Sequence, residues 1–287
     1  MIEILQVLIF GIVLGSIITL GAVGLSLLFG ILRFANFAHG DMMTVGAYLA
    51  LVFVAGLGWP IYAAFPMALA GGAVVAIAID RVLYKRLRRT APVILLISSF
   101  GVGLMLRSLV QFIWGPQSLV YEPGIQFPLH ILGLRIKPDH LVILAGVIIL
   151  VILLHLFLQY TKMGKAMRAM SDNMDLAEIT GIETERVIMW TWALGGALAA
   201  GAGIFLAMDT RLQPFMGWNM LLPVFAAAIM GGIGKPYGAI AGGMTVGIAE
   251  EMSTLFFSPA YKSAVAFALM VIILIVRPTG LFGGRSR

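Results

Sequence analysis

Long uncharged stretches broken by short charged ones set the pattern of this chain. No charge occurs from Ile4 to Leu32, and none from Met42 to Ile79. A helix crosses a bilayer with about 20 apolar residues, so the second run holds two spans, split at Trp59-Pro60. Continued along the chain, the pattern predicts spans at 4–30, 42–58, 60–79, 93–113, 139–159, 187–208, 218–233, 237–256 and 261–276. Pro92 and Pro138 stand where a first helical turn would begin, and Pro278 follows the last span. The segment 218–233 is short, contains Pro223 and ends in Gly231-Gly232-Ile233-Gly234. That predicts a re-entrant or broken element, which is tolerated at membrane depth only where protein or water surrounds it. The fold class expected is an all-α polytopic membrane protein of 8–9 transmembrane helices with one such segment, forming a single domain over residues 1–287.

Composition supports this reading. Hydrophobic residues make up 61% of the chain and charged residues 11%, against about 25% charged in a soluble domain. The longest polar stretches, roughly 25 residues, are too short to bury a core of their own. The first apolar block is far longer than the core of a secretory signal, and no small-residue cleavage site follows it, so it is expected to stay as a span. Cysteine is absent, which excludes disulfides, thiolate metal sites and cysteine nucleophiles.

The net charge of +6 first carries information on topology. Arg81, Lys85, Arg86, Arg88 and Arg89 crowd one short loop; Lys162, Lys165, Arg168 and Arg186 lie in another; Arg277, Arg285 and Arg287 fall in the tail. Basic residues beside spans stay on the cytoplasmic side. With nine crossings the N-terminus lies outside and 114–138 is an external loop, in which Leu129–Lys137 is expected to form a short β-ribbon.

The stretch Arg33-Phe-Ala-Asn-Phe-Ala-His-Gly-Asp41 interrupts the apolar pattern most sharply. Two roles are compatible. Asn36 and Asp41 are expected to cap the helix that begins near Met42. Asn36, Phe37, His39, Gly40 and Asp41 are candidates to line a path, as broken helices do in many transporters. A proton relay is a further option, since ionisable groups at membrane depth are expensive and usually functional. As a metal site the His39/Asp41 pair is too sparse.

The segment 160–186 holds nine of the 32 charged residues. At 100° per residue Met163, Met167, Met170 and Met174 share one side of a helix, with Lys165, Arg168, Asp172 and Asp175 opposite. Gly181 is expected to end that helix. A methionine face adapts to an irregular or moving surface, which predicts a protein partner; the bland alternative is a helix resting on lipid headgroups.

Arg107 lies deep in the fourth span, where a charge must face protein or snorkel; Glu250 or Glu251 is expected to partner it or Arg211. Gly195/Ala199/Gly203, Gly238/Gly242 and Gly243/Gly247 repeat small residues at the spacing that brings helix backbones close. A faint echo links 43–47 with 244–248. Gly231-Gly-Ile-Gly-Lys235 imitates a phosphate loop, but Ile229 and Pro236 occupy positions that need glycine and Ser/Thr. There is no nucleophile elbow and no zinc-protease motif either, so the chain is expected not to be an enzyme and to bind no cofactor or nucleic acid.

Several of these segments, taken in order, resemble a known family, the bacterial branched-chain amino acid ABC transporter permeases. The matching residues are Gly24-Leu-Ser-Leu-Leu-Phe-Gly30, Asn36-Phe-Ala-His-Gly-Asp41, Gly46-Ala-Tyr48, Gly164-Lys-Ala-Met-Arg-Ala-Met-Ser-Asp172 with Ala177 and Ile182, Gly231-Gly-Ile-Gly-Lys-Pro-Tyr-Gly-Ala239 and Arg277-Pro-Thr-Gly-Leu-Phe282. The resemblance implies a multi-pass inner-membrane permease paired with a homologous permease. It implies two cytoplasmic ATPase subunits that bind ATP and Mg, and a periplasmic binding protein that delivers the substrate. It assigns ATPase coupling to Gly164, Lys165, Met167, Arg168, Met170, Asp172, Ala177 and Gly181. Substrates of the family include branched-chain and other amino acids, urea, short amides and aromatic acids; hydrophobic amino acids are expected here. The competing classes are a secondary transporter or channel working through His39, Asp41 and Glu250, and a membrane scaffold without transport.

Overall fold

The computed structural model describes residues 2–88, 90–121, 129–131, 133–277 and 279–282. Arg89, Pro278, Arg285 and Arg287, named above, lie outside these. All nine predicted spans are helices: α1 Ile2–Leu32, α2 His39–Gly56, α3 Ile61–Leu87, α4 Pro92–Trp114, α5 Pro138–Tyr160, α8 Thr184–Asp209, α9 Met216–Gly231, α10 Pro236–Ser253 and α11 Pro259–Val276. Two short helices, α6 Lys162–Asp172 and α7 Met174–Ile179, lie between α5 and α8. Strands β1 Leu129–Ile131 and β2 Leu134–Ile136 pair antiparallel between α4 and α5, the ribbon expected there.

Side-chain contacts sort the ends of these helices into two faces. On one face, Gly30 lies against Ser171 and Gly234, Arg88 bonds Glu185, and Lys235 bonds the Phe282 carbonyl. On the other, Gln6 exchanges two 2.8 Å hydrogen bonds with the Arg135 backbone, Phe10 packs edge-on against His140, and Leu119 bridges Leu212. The basic clusters at 81–88 and 162–186 share the first face, as the charge pattern requires. Nine helices therefore alternate between the faces, with the first residues on the external side.

Three boundaries differ from expectation. Arg81, Lys85 and Arg86 are not in a loop. They ride on the last turns of α3, which continues through a π-helical turn at Asp80–Tyr84. That turn carries Asp80 and Tyr84 inward, where both are buried. Second, α9 is not re-entrant. It begins below the external face, ends at the cytoplasmic one, and its 16 residues cover about 24 Å, with 210–215 supplying the remaining depth. Third, the broken element lies at 33–38, between α1 and α2.

The middle of the bundle is α1, α2, α8 and α10, and small residues set its spacing. A β-carbon on Gly203 would meet the Met43 carbonyl, and one on Gly247 would meet the Gly15 backbone. Gly203, Gly238, Gly242, Gly243 and Gly247 of the four-residue repeats are thus backbone contacts between helices, while Gly195 sits against the Leu28 side chain.

Candidate functional site

The break after α1 opens on Arg33, whose φ of +54° makes it the one described non-glycine residue in the left-handed region. Its N–H still donates to the Phe29 carbonyl at 2.9 Å, so it closes α1 as a left-handed terminator. The chain then runs extended into the bundle. His39 Nε2 donates to the Gly21 carbonyl at 2.9 Å. Gly21 stands 11 residues before the end of α1, or about 16 Å up that helix at 1.5 Å per residue. The next helix therefore starts near the middle of the membrane rather than at its face.

Helix α2 begins at His39, three residues earlier than expected, and its N-cap is Ala38, with no side-chain cap. Asn36 does not cap a helix N–H. Its Oδ1 accepts from the Ala38 N–H at 3.1 Å and from the Tyr84 hydroxyl at 3.3 Å, which ties the break to α3. The Phe37 N–H donates to Ser99 Oγ of α4 at 3.0 Å, and its ring lies 5.2 Å from Phe225. Gly40 meets α9 so closely that an added β-carbon would strike the Gly217 carbonyl. Asn36, His39, Gly40 and Asp41 are buried and Phe37 is partly exposed. Within a single chain these five residues form a junction of α1, α2, α3, α4 and α9.

Asp41 is not a cap either. Its two oxygens accept from Arg107 Nε and Nη2 at 2.9 and 3.0 Å, a two-pronged ion pair between α2 and α4. The guanidinium also lies over the Trp218 ring at 4.5 Å and the Phe215 ring at 5.1 Å, adding cation–π attraction. Gly103, one turn before, leaves room for Asp41 Oδ2. The partner expected for Arg107 is thus corrected. Glu251 pairs instead with Lys262, and Glu250 is buried beside it in α10. Asp41 and Arg107 are 66 residues apart, and no spacing or motif in the chain joins them.

The segment 160–186 also differs from its prediction. One helix becomes two because Asn173 leaves the helical region and its Oδ1 caps the Leu176 N–H at 3.0 Å. Thr161 likewise caps α6 through the Gly164 N–H at 2.9 Å. The methionine face turns inward. Met167 and Met170 are 2% and 1% exposed, packed against this chain's own spans. Gly164 sits directly on the Phe157–Leu158 backbone of α5, and Ala177 is buried. Lys165, Arg168, Asp172, Leu176, Ile179 and Gly181 face outward. Gly181, at φ +86°, ends α7 as expected. Leu176 is 59% and Ile179 83% exposed. Neither was singled out in the sequence, although a face of two apolar and three charged residues on the cytoplasmic side has the composition of a docking surface.

The imitation phosphate loop is a turn. Gly232 and Gly234 take positive φ between α9 and α10, and the chain's later residues dock on it, with the Leu281 N–H donating to the Met230 carbonyl at 2.7 Å. Two segments quoted for the family resemblance therefore touch each other.

Comparison with known proteins agrees with this architecture. Residues 7–274 match the family described as branched-chain amino acid transport system / permease component. The chain is 34% identical to the high-affinity branched-chain amino acid transport system permease protein LivH of Escherichia coli K12, over 97% of this chain and 95% of that protein. It is 30% identical to BraD of Pseudomonas aeruginosa over the same shares, and 30% identical to a probable LivH of Methanocaldococcus jannaschii over 95% and 90%. Its fold is similar to the solved structure titled PsaBC from Streptococcus pneumoniae in complex with Fab, with a TM-score of 0.50, 17% identity and coverage of 97% and 93%. With its alternating spans, the chain is a multi-pass protein of the bacterial inner membrane and a transport component rather than an ATPase. It belongs to the branched-chain amino acid transport system permease family.

Proposed function

We propose that this chain is one of two homologous permease subunits of an ATP-driven importer that carries branched-chain or other hydrophobic amino acids into the cell. Two cytoplasmic ATPase subunits bind ATP and Mg and drive it, and a periplasmic protein delivers the substrate. The observation that carries this reading is the outward face of α6–α7. Two capped helices stand on the cytoplasmic face, braced by Gly164, Met167, Met170 and Ala177 from within. They present Lys165, Arg168, Asp172, Leu176 and Ile179. An element braced inward and charged outward suits the transfer of motion from a soluble partner to the spans. On this reading Gly164, Met167, Met170, Ala177 and Gly181 set its position, and Lys165, Arg168 and Asp172 make contact.

The buried junction at Asn36–Asp41 then belongs to the path in the assembled pair. It sits near mid-depth, where α2 begins, and Phe37 is its partly exposed edge. Asp41 is held by Arg107 and His39 by the Gly21 carbonyl, which argues against a string of exchangeable protons through them.

The deciding experiment is purification in mild detergent with identification of the co-eluting chains, followed by leucine uptake into vesicles that hold the purified material. Co-elution of two ATPase subunits with ATP-dependent uptake is expected. A lone chain that accumulates solute on a proton gradient would sink the proposal.

A further inference from the structure

The outer end of α8, the connector 210–215 and the first turns of α9 border an open hollow of about 450 Å3. Its polar lining includes Arg211, Gln213 and Asn219, and its apolar lining Leu206, Met216 and Met220. Arg211 and Asn219 are exposed, and neither side chain has a partner among the described residues. The Gln213 amide nitrogen donates to Ser118 Oγ at 3.0 Å, leaving its carbonyl oxygen to accept. The wall is fixed, because Leu212 exchanges two 3.0 Å backbone hydrogen bonds with Leu119 of the external segment. This hollow is separate from the Asp41–Arg107 pair, which faces the Phe215 and Trp218 side of α9.

The chemistry of the lining is specific. A guanidinium without a counter-charge offers two parallel N–H donors, the fork that fits a carboxylate. The carbonyls of Gln213 and Asn219 accept N–H groups. A leucine and two methionines make an adaptable apolar surface. An unpaired asparagine and arginine on this face are costly against lipid, so the face borders water or protein. The volume lies within the range of small-molecule sites. One class of molecule carries a carboxylate, an ammonium and a compact apolar side chain together. We propose that this hollow is an outer receiving site for a free hydrophobic α-amino acid, with its carboxylate on Arg211, its ammonium toward the Gln213 and Asn219 carbonyls, and its side chain over Leu206, Met216 and Met220. The proposal rests on the importer reading for the identity of the arriving molecule.

The test uses the assembled transporter in vesicles with Thr210→Cys at the rim, since the chain has no cysteine of its own. Alkylation by a membrane-impermeant maleimide is followed by mass on this chain while L-leucine is raised through the millimolar range. Leucine is expected to slow alkylation, whereas leucinol, which lacks the carboxylate, leaves it unchanged. Adding Arg211→Gln should raise the half-protecting concentration about tenfold, the loss of one charge-assisted contact, and Arg211→Lys should restore part of it. Alkylation indifferent to leucine, or slowed equally by leucinol, overturns the site. ATP-driven leucine uptake with the unsubstituted chain is measured alongside. Uptake without protection removes the receiving site and leaves the importer reading standing; protection without uptake keeps the site and removes that reading.

Discussion

Asp41 and Arg107 carry the largest consequence at the scale of single residues. A capping aspartate tolerates asparagine, and the sequence supported that role. The structure predicts the reverse, because Asp41→Asn leaves a guanidinium buried without its counter-charge. Breaking one side of such a pair costs about 3–5 kcal/mol, so Asp41→Asn should lower the thermal midpoint of the detergent-purified protein sharply. Asp41→Leu combined with Arg107→Met should recover much of the loss, since both charges go together. A single variant as stable as the unsubstituted protein would show that the pair contributes nothing. Asn36→Leu has a separate cost. It leaves the Ala38 N–H and the Tyr84 hydroxyl without their acceptor, worth about 1–3 kcal/mol for each group left unpaired in the interior. Loss of uptake in that variant is therefore evidence for a path only when normalised to folded, assembled complex.

At the scale of elements, the spans were legible because apolar runs and prolines mark them directly. The start of α2 was not, since His39-Gly40-Asp41 reads as a loop by polarity and becomes helix only because α1, α4 and α9 supply its surroundings. The amphipathic stripe of 163–174 is present in the structure, but it faces inward rather than toward a partner. Periodicity reports that one side is apolar, not what covers it, and here the chain's own spans do. This division gives a paired prediction. Met167→Asp should destabilise the fold, because it places a carboxylate in a packed interior. Ile179→Asp and Arg168→Glu should change the stability of the fold by no more than about 0.5 kcal/mol, as surface changes do, and abolish substrate-stimulated ATP hydrolysis by the assembled complex. Normal stimulation in both outward variants would remove the coupling role of α6–α7.

At the scale of the whole molecule, nine crossings with the basic clusters on one face fix an orientation that can be checked residue by residue. A single cysteine in place of Lys165 should react with impermeant thiol reagents only in inside-out vesicles, and one in place of Ser118 only in right-side-out vesicles; the opposite pattern would invert the topology. The ion pair between α2 and α4 also bears on how the protein is made. Asp41 is synthesised 66 residues before Arg107, so its helix has left the ribosome when the arginine appears. Taken alone, α4 carries a central charge that raises its insertion cost by about 2.5–3.5 kcal/mol. Its proper place in the membrane depends on a carboxylate that is already waiting there. An insertion assay with a glycosylation reporter should find α4 retained poorly as an isolated segment and well behind α1–α3, with the gain lost on Asp41→Ala. The bilayer then admits this helix as half of a neutral couple, and membrane assembly follows the order in which the two halves emerge.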